Sequence, residues 1–250
     1  MNIADFAKYP TPEEWDSIIE KKRESWNKIK LNEKKQKKYN ILDLSQIDQM
    51  ELDFWINEFN DRAFALANNY VMLRSYYDQG IPDDPYYESP GPKGESVRYF
   101  PLFTDEKHYV LHFWFGFYTE SFYTRYSAII DTVYHIINAK YKFGISPGTG
   151  FIKKVLNKLK TVDEELYVYL NDLQNNQVFK KVKKLRNDIA HNFSPSQVSS
   201  GIKREQKEDG SLVISLGIGD YTTTKEFVDN IDESIDLLAD IVEKIQTKIV

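Results

Sequence analysis

The sequence contains no cysteine among its 250 residues. Disulfide bonds and zinc sites built on cysteine are therefore excluded. No apolar run approaches the roughly 20 residues that a membrane-spanning helix requires. The first residues also lack the basic and apolar regions of a signal peptide. These absences predict a cytoplasmic protein that does not use a membrane.

An excess of positive charge is also missing, because the formal net charge is −5. A negative net charge argues against bulk electrostatic attraction to nucleic acid. The charge is unevenly distributed, however, and residues 140–186 hold eleven Lys or Arg against four Asp or Glu. This segment can present a basic surface to phosphate groups, or its lysines can simply form the solvated faces of helices.

The spacing of the apolar residues predicts an all-α protein. Thr11 and Pro12 begin a helix that extends to about residue 36, with Thr11 as its N-cap. Further long helices are predicted from Ser45 to about Asp78 and from Asp105 to about Phe143. Four further helices are predicted over about 151–160, 162–174, 178–192 and 223–249. The predicted fold is a helical bundle with additional N-terminal helices.

Two segments interrupt this helical pattern. The proline-rich residues 80–94 predict a surface loop or a flap that contacts a partner. Residues 202–218 alternate at period two around Asp209-Gly210, which predicts a small β-hairpin inserted over about 199–221. We therefore divide the chain into an N-terminal helical arm, 1–43, and a helical domain, 44–250.

A line of polar residues crosses the aromatic helix predicted after Asp105. Its members fall within about 80° of one another on the helix and are Glu120, Thr124, Ser127, Asp131 and His135. Buried polar groups require hydrogen-bond partners. The line is therefore either an internal hydrogen-bond network or a supporting shell, contributed by Glu120 and Asp131, for a site on a neighbouring helix.

The most informative residues lie on the helix predicted over 178–192. An apolar stripe should pack this helix into the core, and it consists of Val178, Val182, Leu185 and Ile189. With Leu185 at 0°, Arg186, Asn187 and His191 lie near 100°, 200° and 240°, so all three point away from that stripe. Arg186 and His191 are about 7.5 Å apart along the axis. Across that separation the two long side chains can bracket one phosphodiester.

These residue types are sufficient for cutting RNA without a metal ion or other cofactor. RNA carries its own nucleophile, the 2′-hydroxyl group. His191 can transfer a proton near neutral pH, and Arg186 can stabilise the charge that develops on the phosphate. Asn187 can orient the histidine or hold a ribose or phosphate oxygen. The expected product is a 2′,3′-cyclic phosphate. Candidate RNA contacts are the lysines that precede the motif, Lys180, Lys181, Lys183 and Lys184.

The pattern Arg186-Asn187-x-x-x-His191 on a late helix of a bundle resembles the HEPN superfamily (higher eukaryotes and prokaryotes nucleotide-binding domains). The motif itself covers roughly 178–193, and the bundle architecture extends the resemblance over about 105–250. The resemblance implies a metal-independent endoribonuclease that acts as a homodimer with two motifs in one cleft. It also implies a toxin or phage-defence role and an antitoxin or regulatory partner. A subgroup has a modified tyrosine two residues after the histidine, where this chain has Phe193.

Other interpretations remain open at this stage, one of which is a partner-dependent effector whose aromatic flap, Tyr86-Tyr87 and Tyr99-Phe100, docks another protein. The same bundle can serve as a non-catalytic RNA-binding or protein-interaction module, since a fold does not fix a function. A nuclease needs His191, whereas a scaffold should tolerate its loss. His108 and His112 are spaced i, i+4, which suits a metal ion, but the glutamate of the metalloprotease pattern does not follow His108. We expect no metal site there.

Overall fold

The computed structural model describes residues 2–32, 46–84, 86–88, 97–99, 103, 105–217 and 219–249. The predicted all-α fold is confirmed in these residues. The helices are α1 Pro12–Glu20, α2 Arg23–Lys28, α3 Ile47–Tyr77, α4 Glu106–Lys140, α5 Phe151–Val162, α6 Glu164–Asp172, α7 Gln177–His191 and α8 Thr224–Ile249. The strands are β1 Tyr86–Glu88, β2 Val97–Tyr99, β3 Ile202–Gln206 and β4 Leu212–Leu216.

The two longest helices form the centre of the molecule. α3 has 31 residues and packs along the 35 residues of α4. α4 is aromatic on most of its sides, and its fully buried rings are Phe115, Phe122, Tyr123 and Tyr126. α8 closes the core with a buried stripe at helical spacing, and the Tyr123 hydroxyl donates to Asn230 Oδ1 of α8 at 2.9 Å. Burial of this apolar surface is the main stabilising contribution.

The N-terminal helix is shorter than the sequence predicts. The capping box at Thr11 is present, but α1 ends at Glu20 and the chain turns before the six-residue α2. The expected single helix to about residue 36 is wrong because tertiary contacts hold the chain after α2. Leu31 is buried, and the Asn60 carboxamide bonds both its N–H and its carbonyl at 3.0 Å. Residues 34–38, whose four lysines predict a frayed helix end or a linker, lie outside the described residues.

The N-terminal helices pack against the rest of the chain. The Trp26 ring lies 5.6 Å from the ring of Tyr70 in α3, and Lys22 and Ser25 both bond the carboxylate of Asp236 in α8. Ile18 of α1 belongs to the same hydrophobic core as α3 and α8. The division of the chain near residue 43 stays a prediction.

Two antiparallel hairpins complete the described structure. β3 pairs with β4 as predicted, and Gly210 has a φ of 82° in the connecting turn. That backbone conformation favours glycine. The backbone of β1 also pairs with β2, inside the segment predicted to be a loop. Tyrosine and valine favour strands, but the prolines around these short segments concealed the preference.

Candidate functional site

The motif helix α7 is fixed by a cap and a narrow apolar stripe. The Asn176 side chain accepts a hydrogen bond of 3.1 Å from the Phe179 amide, which satisfies one of the free donors at the helix start. Phe179, Val182 and Leu185 are buried against the core, and α7 contacts both α4 and α8. The opposite side of α7 is left for solvent or a ligand.

Asn187 and His191 lie on that free side, whereas Arg186 lies at the edge of the buried face, at about 100° on the helix between Val182 and Phe179. Arg186 is half-buried, while Asn187 and His191 are exposed. Arg186 Nη1 donates to Asn187 Oδ1 at 3.2 Å, so the carboxamide contacts the arginine and not the histidine. Within the described part of the chain, His191 forms no hydrogen bond, ion pair or ring contact. Its imidazole is therefore accessible to a substrate.

A cleft of about 860 Å³ opens beside Arg186, between α4, α5, α6 and α7. Its lining includes Tyr126, Asp131, Phe151, Tyr167, Gln174 and Arg186, and we call it the α4–α7 cleft. Its volume lies within the range of about 300–1,000 Å³ that is typical of small-ligand sites. The sequence did not reveal the contribution of α5 and α6, because the periodicity of one helix does not show which helix packs beside it.

Asp131 is exposed on the α4 wall of this cleft. Partial burial raises the pKa of its carboxyl group, and the nearby charges of His135 and Arg186 act in the opposite direction. No described residue forms an ion pair or hydrogen bond with it. The cleft thus contains an unpaired carboxylate within electrostatic range of the motif arginine.

His135, one turn after Asp131, is part of an aromatic stack. Its ring centroid lies 4.1 Å from that of Trp55 and 4.4 Å from that of Phe151. Burial between these rings lowers the pKa of His135, and the nearby carboxylate of Asp131 opposes that shift. Both ring faces are covered, which makes His135 a wall of the cleft.

The polar line on α4 is not the internal hydrogen-bond network that the sequence allowed. The hydroxyls of Thr124 and Ser127 donate to carbonyls one turn earlier on the same helix, and Thr124 and Asp131 are exposed. The network is absent among these residues because this side of α4 is only partly covered. Glu120 is the exception, because its Oε1 accepts a hydrogen bond of 2.8 Å from the Ser194 hydroxyl.

This contact ties the loop after the motif helix to α4. Ser194 follows His191 by three residues, and its hydroxyl also lies 3.0 Å from that of the buried Ser196. Ser196 packs over Gly116, where an added Cβ would lie 3.5 Å from the Ser196 hydroxyl oxygen. Glu120 therefore fixes the chain that leaves the C-terminal end of α7.

The four candidate lysines are all exposed but differ in their partners. Lys183 lines the α4–α7 cleft and donates to Gln174 Oε1 at 3.0 Å. Lys184 pairs with Asp188 at 2.6 Å, and this hydrogen bond lowers the pKa of Asp188. Lys180 and Lys181 form no ion pair with the residues that the structure describes, and their charges face solvent.

One member of the histidine pair on α4 belongs to a buried hydrogen-bond cluster. His112 is buried, and its Nε2 lies 3.2 Å from the Tyr221 hydroxyl, which donates to Asp83 at 2.8 Å. Asp83 also accepts hydrogen bonds from the amide and hydroxyl of Thr224 at the start of α8. Across the described ranges, no three His, Asp or Glu side chains are grouped closely enough to hold a metal ion.

A model of the HEPN_Cthe2314-like HEPN family matches residues 55–249. The chain belongs to this family. The match runs from α3 to the end of α8 and includes the motif helix and the β3–β4 hairpin, whereas α1 and α2 precede it. Comparisons with curated proteins and with solved structures found no significant match. Among the described helices of this HEPN protein, none combines the length and apolar character needed to cross a bilayer.

Proposed function

We propose that this HEPN protein is a metal-independent endoribonuclease that cuts RNA through attack of the 2′-hydroxyl group on the adjacent phosphate. The observation that carries the proposal is the arrangement on α7. Arg186 lines the α4–α7 cleft, and His191 stands exposed about 1.4 turns further along α7, roughly 140° around the helix axis from Arg186. HEPN membership supports a nucleotide- or RNA-directed function, and these residues supply the chemistry.

In the proposed reaction the 2′ oxygen attacks phosphorus, the bond from phosphorus to the 5′ oxygen breaks, and a 2′,3′-cyclic phosphate forms. One imidazole removes the 2′ proton and a second protonates the departing 5′ oxygen. Arg186 binds the phosphate oxygens, whose negative charge grows in the transition state. Asn187 keeps the guanidinium in place through the 3.2 Å hydrogen bond.

A homodimer provides the second imidazole. A twofold axis beside α7 would bring two copies of His191 to one phosphodiester. Phe113, Phe117, Glu120, Thr124 and Asp131 lie within about 60° of one another on α4. Phe113 and Phe117 are exposed, so an apolar surface adjoins the contact from Glu120 to the loop after α7. Exposed aromatic surface of this kind favours association with a second copy.

The lysines extend the proposed RNA path along α7. Lys180, Lys184, Asn187 and His191 recur at i, i+4, i+7 and i+11, so they form one exposed row. Lys181 lies about 100° away from Lys180 on the helix. We therefore expect Lys180→Ala to weaken RNA binding more than Lys181→Ala, measured by fluorescence anisotropy with labelled RNA at several salt concentrations.

The direct test is cleavage of labelled RNA in the presence of EDTA. Wild-type protein should produce fragments with 2′,3′-cyclic phosphate ends and should leave an all-DNA oligonucleotide intact. His191→Ala and Arg186→Ala should each reduce the rate by about 100-fold or more. His108→Ala serves as the matched control, because this half-buried histidine lies at the start of α4, outside the α4–α7 cleft.

Equal cleavage by wild type and His191→Ala would reject the nuclease proposal. RNA binding without any cleavage would favour the second candidate, a non-catalytic RNA-binding or protein-interaction module. The exposed apolar residues of the β3–β4 hairpin, among them Leu212, Ile214 and Leu216, support that alternative. A cytoplasmic toxin or phage-defence role, with an antitoxin or other regulatory protein as partner, is part of the proposal and follows from the HEPN resemblance.

A further inference from the structure

The α4–α7 cleft contains more than a phosphate site needs. Arg186, Lys183 and Lys153 bring three positive charges to its lining, while Asp131 is the single acidic residue among the lining residues that the structure describes. A carboxylate repels phosphate, so Asp131 does not contribute to phosphate binding. Its two carboxylate oxygens accept no hydrogen bond from the described residues, so they are available to a ligand that carries donors.

The lining offers a place for a flat heterocycle. Tyr167 is half-buried and keeps part of its ring open, and aromatic rings of this kind stack on nucleobases. Phe151 and Tyr126 also belong to the lining but are buried, so they shape the cleft without offering a free ring face.

A carboxylate with two free oxygens selects among the four RNA bases. Guanine presents two donors side by side, the N1–H and N2–H groups, which match both oxygens of one carboxylate. Uracil presents one ring N–H, and adenine and cytosine each present one exocyclic amino group beside an acceptor. A bidentate contact to Asp131 is therefore available only to guanine. The pKa of Asp131 is raised by partial burial, so this contact should weaken at acidic pH.

We propose that the α4–α7 cleft is a guanine subsite, in which Asp131 binds the N1–H and N2–H groups of a guanosine whose 3′ phosphate is held by Arg186. The recognised unit is a guanosine phosphate within an RNA chain. This proposal rests on the endoribonuclease function in taking Arg186 as the phosphate ligand. It adds a sequence preference, namely cleavage on the 3′ side of G.

The test measures binding in the His191→Ala background, where cleavage does not interfere. The four ribonucleoside 3′-monophosphates are titrated by isothermal calorimetry, together with inosine 3′-monophosphate, which lacks the N2 amino group. We expect 3′-GMP to bind about tenfold or more tightly than the other nucleotides, including the inosine analogue. Asp131→Asn should remove that advantage, and Asp61→Asn, an exposed change on α3, should preserve it.

The inosine arm protects the test against a variant that misfolds, because it changes the ligand and leaves the protein intact. Equal affinity for 3′-GMP and the inosine analogue in the protein with native Asp131 would overturn the guanine contact. Equal affinity for all four bases, or no binding by any of them, would overturn the subsite. Cleavage of RNA at every base alongside that result would leave the endoribonuclease proposal intact.

A second arm identifies the source of the guanosine. A 2′-O-methyl hexanucleotide with a single internal G resists cleavage and should bind at least tenfold more tightly than the same chain with A in that place. Its affinity should also exceed that of free GTP, because neighbouring phosphates reach the exposed lysines of α7. Tighter binding of GTP would keep the guanine contact and overturn the RNA source.

Discussion

At the scale of single residues, the contact between Arg186 and Asn187 determines how the motif acts. The carboxamide holds the guanidinium at 3.2 Å and brings no charge of its own. An arginine fixed in this way presents its remaining N–H groups to a phosphate with little loss of conformational freedom. In the proposed reaction Asn187 is thus a positioning residue.

Substitutions of Asn187 should separate the effect of the position of the Arg186 guanidinium from the effect of its charge. Asn187→Ala removes the hydrogen bond that holds the guanidinium and should lower kcat by about tenfold. Asn187→Asp places a carboxylate beside the guanidinium, which offsets its positive charge, and should lower kcat by about 100-fold. Both variants should keep the wild-type melting temperature, because Asn187 is exposed. Steady-state kinetics with a labelled oligonucleotide measure the difference. An equal effect of the two changes would contradict the positioning role.

His112 should make the stability of the protein depend on pH. Burial lowers its pKa, and the smaller effect of Asp83, which shares the Tyr221 hydroxyl, opposes the shift. The unfolded chain therefore binds the proton more readily, and the free energy of unfolding should fall as pH drops below about 6.5. The slope is at most about 1.4 kcal/mol per pH unit for one group.

Urea denaturation at pH 7.5 and 5.5 measures this slope. His112→Gln keeps a side chain able to bond Tyr221 and should reduce the slope without abolishing it, because the pKa of His135 is also lowered. Identical slopes for wild type and variant would show that His112 titrates equally in the folded and unfolded chain.

At the scale of secondary-structure elements, the loop after α7 is held by Glu120 through Ser194. Glu120→Ala should destabilise the fold by about 1–2 kcal/mol, since the contact is a charge-assisted hydrogen bond in a half-buried setting. It should lower kcat more than it raises KM, because the loop positions His191. A double-mutant cycle with Ser194→Ala tests the link, and additive effects would contradict it.

Gly116 tests the packing of the same loop. A Cβ at this position would meet Ser196 at 3.5 Å, which is an ordinary contact. Because glycine weakens a helix interior, Gly116→Ala should raise the free energy of unfolding by about 0.5–1 kcal/mol. Gly210→Ala is the control, because a φ of 82° at the hairpin turn makes that change destabilising. A loss of stability in Gly116→Ala would show that the Ser196 side chain cannot move to accommodate the added Cβ.

The sequence predicted the helices and strands better than the packing between them. Apolar spacing was sufficient to predict that α4, α7 and α8 exist. In α7, however, only Val182 and Leu185 of the predicted stripe are buried, while Val178 and Ile189 are half-buried and Phe179 is buried instead. The end of α1 was missed because contacts of Leu31 with Asn60 override local preference. The α4–α7 cleft was missed for a related reason. Tyr167 of α6 and Gln174, just after α6, become cleft residues only because α5 packs beside α4 and α6 packs on α5.

At the scale of the whole molecule, activity should depend on association of two copies. Phe117 is 55% exposed on the α4 surface that adjoins the motif, and Phe64 is 73% exposed on α3. Phe64 lies about 200° around α3 from Arg62, which bonds Thr132 of α4, so it faces away from α4. The two phenylalanines thus form a matched pair for a test of the interface.

Phe117→Asp should convert a dimer into a monomer. Activity should then fall by about 100-fold, because each motif lacks the second copy of His191. Phe64→Asp should leave both properties unchanged. Analytical ultracentrifugation at micromolar concentration, with the cleavage assay alongside, measures the two outcomes. Full activity from a monomeric variant would show that one motif is sufficient.

The length of α4 has a practical consequence. This single helix of 35 residues carries Asp131 and also the rings at the centre of the core. A molecule that binds Asp131 binds the helix on which the core is built. Its free energy of binding therefore adds to the free energy of unfolding of the protein. Heating the protein with candidate nucleotides and following its melting temperature is therefore a rapid screen for what the cleft accepts.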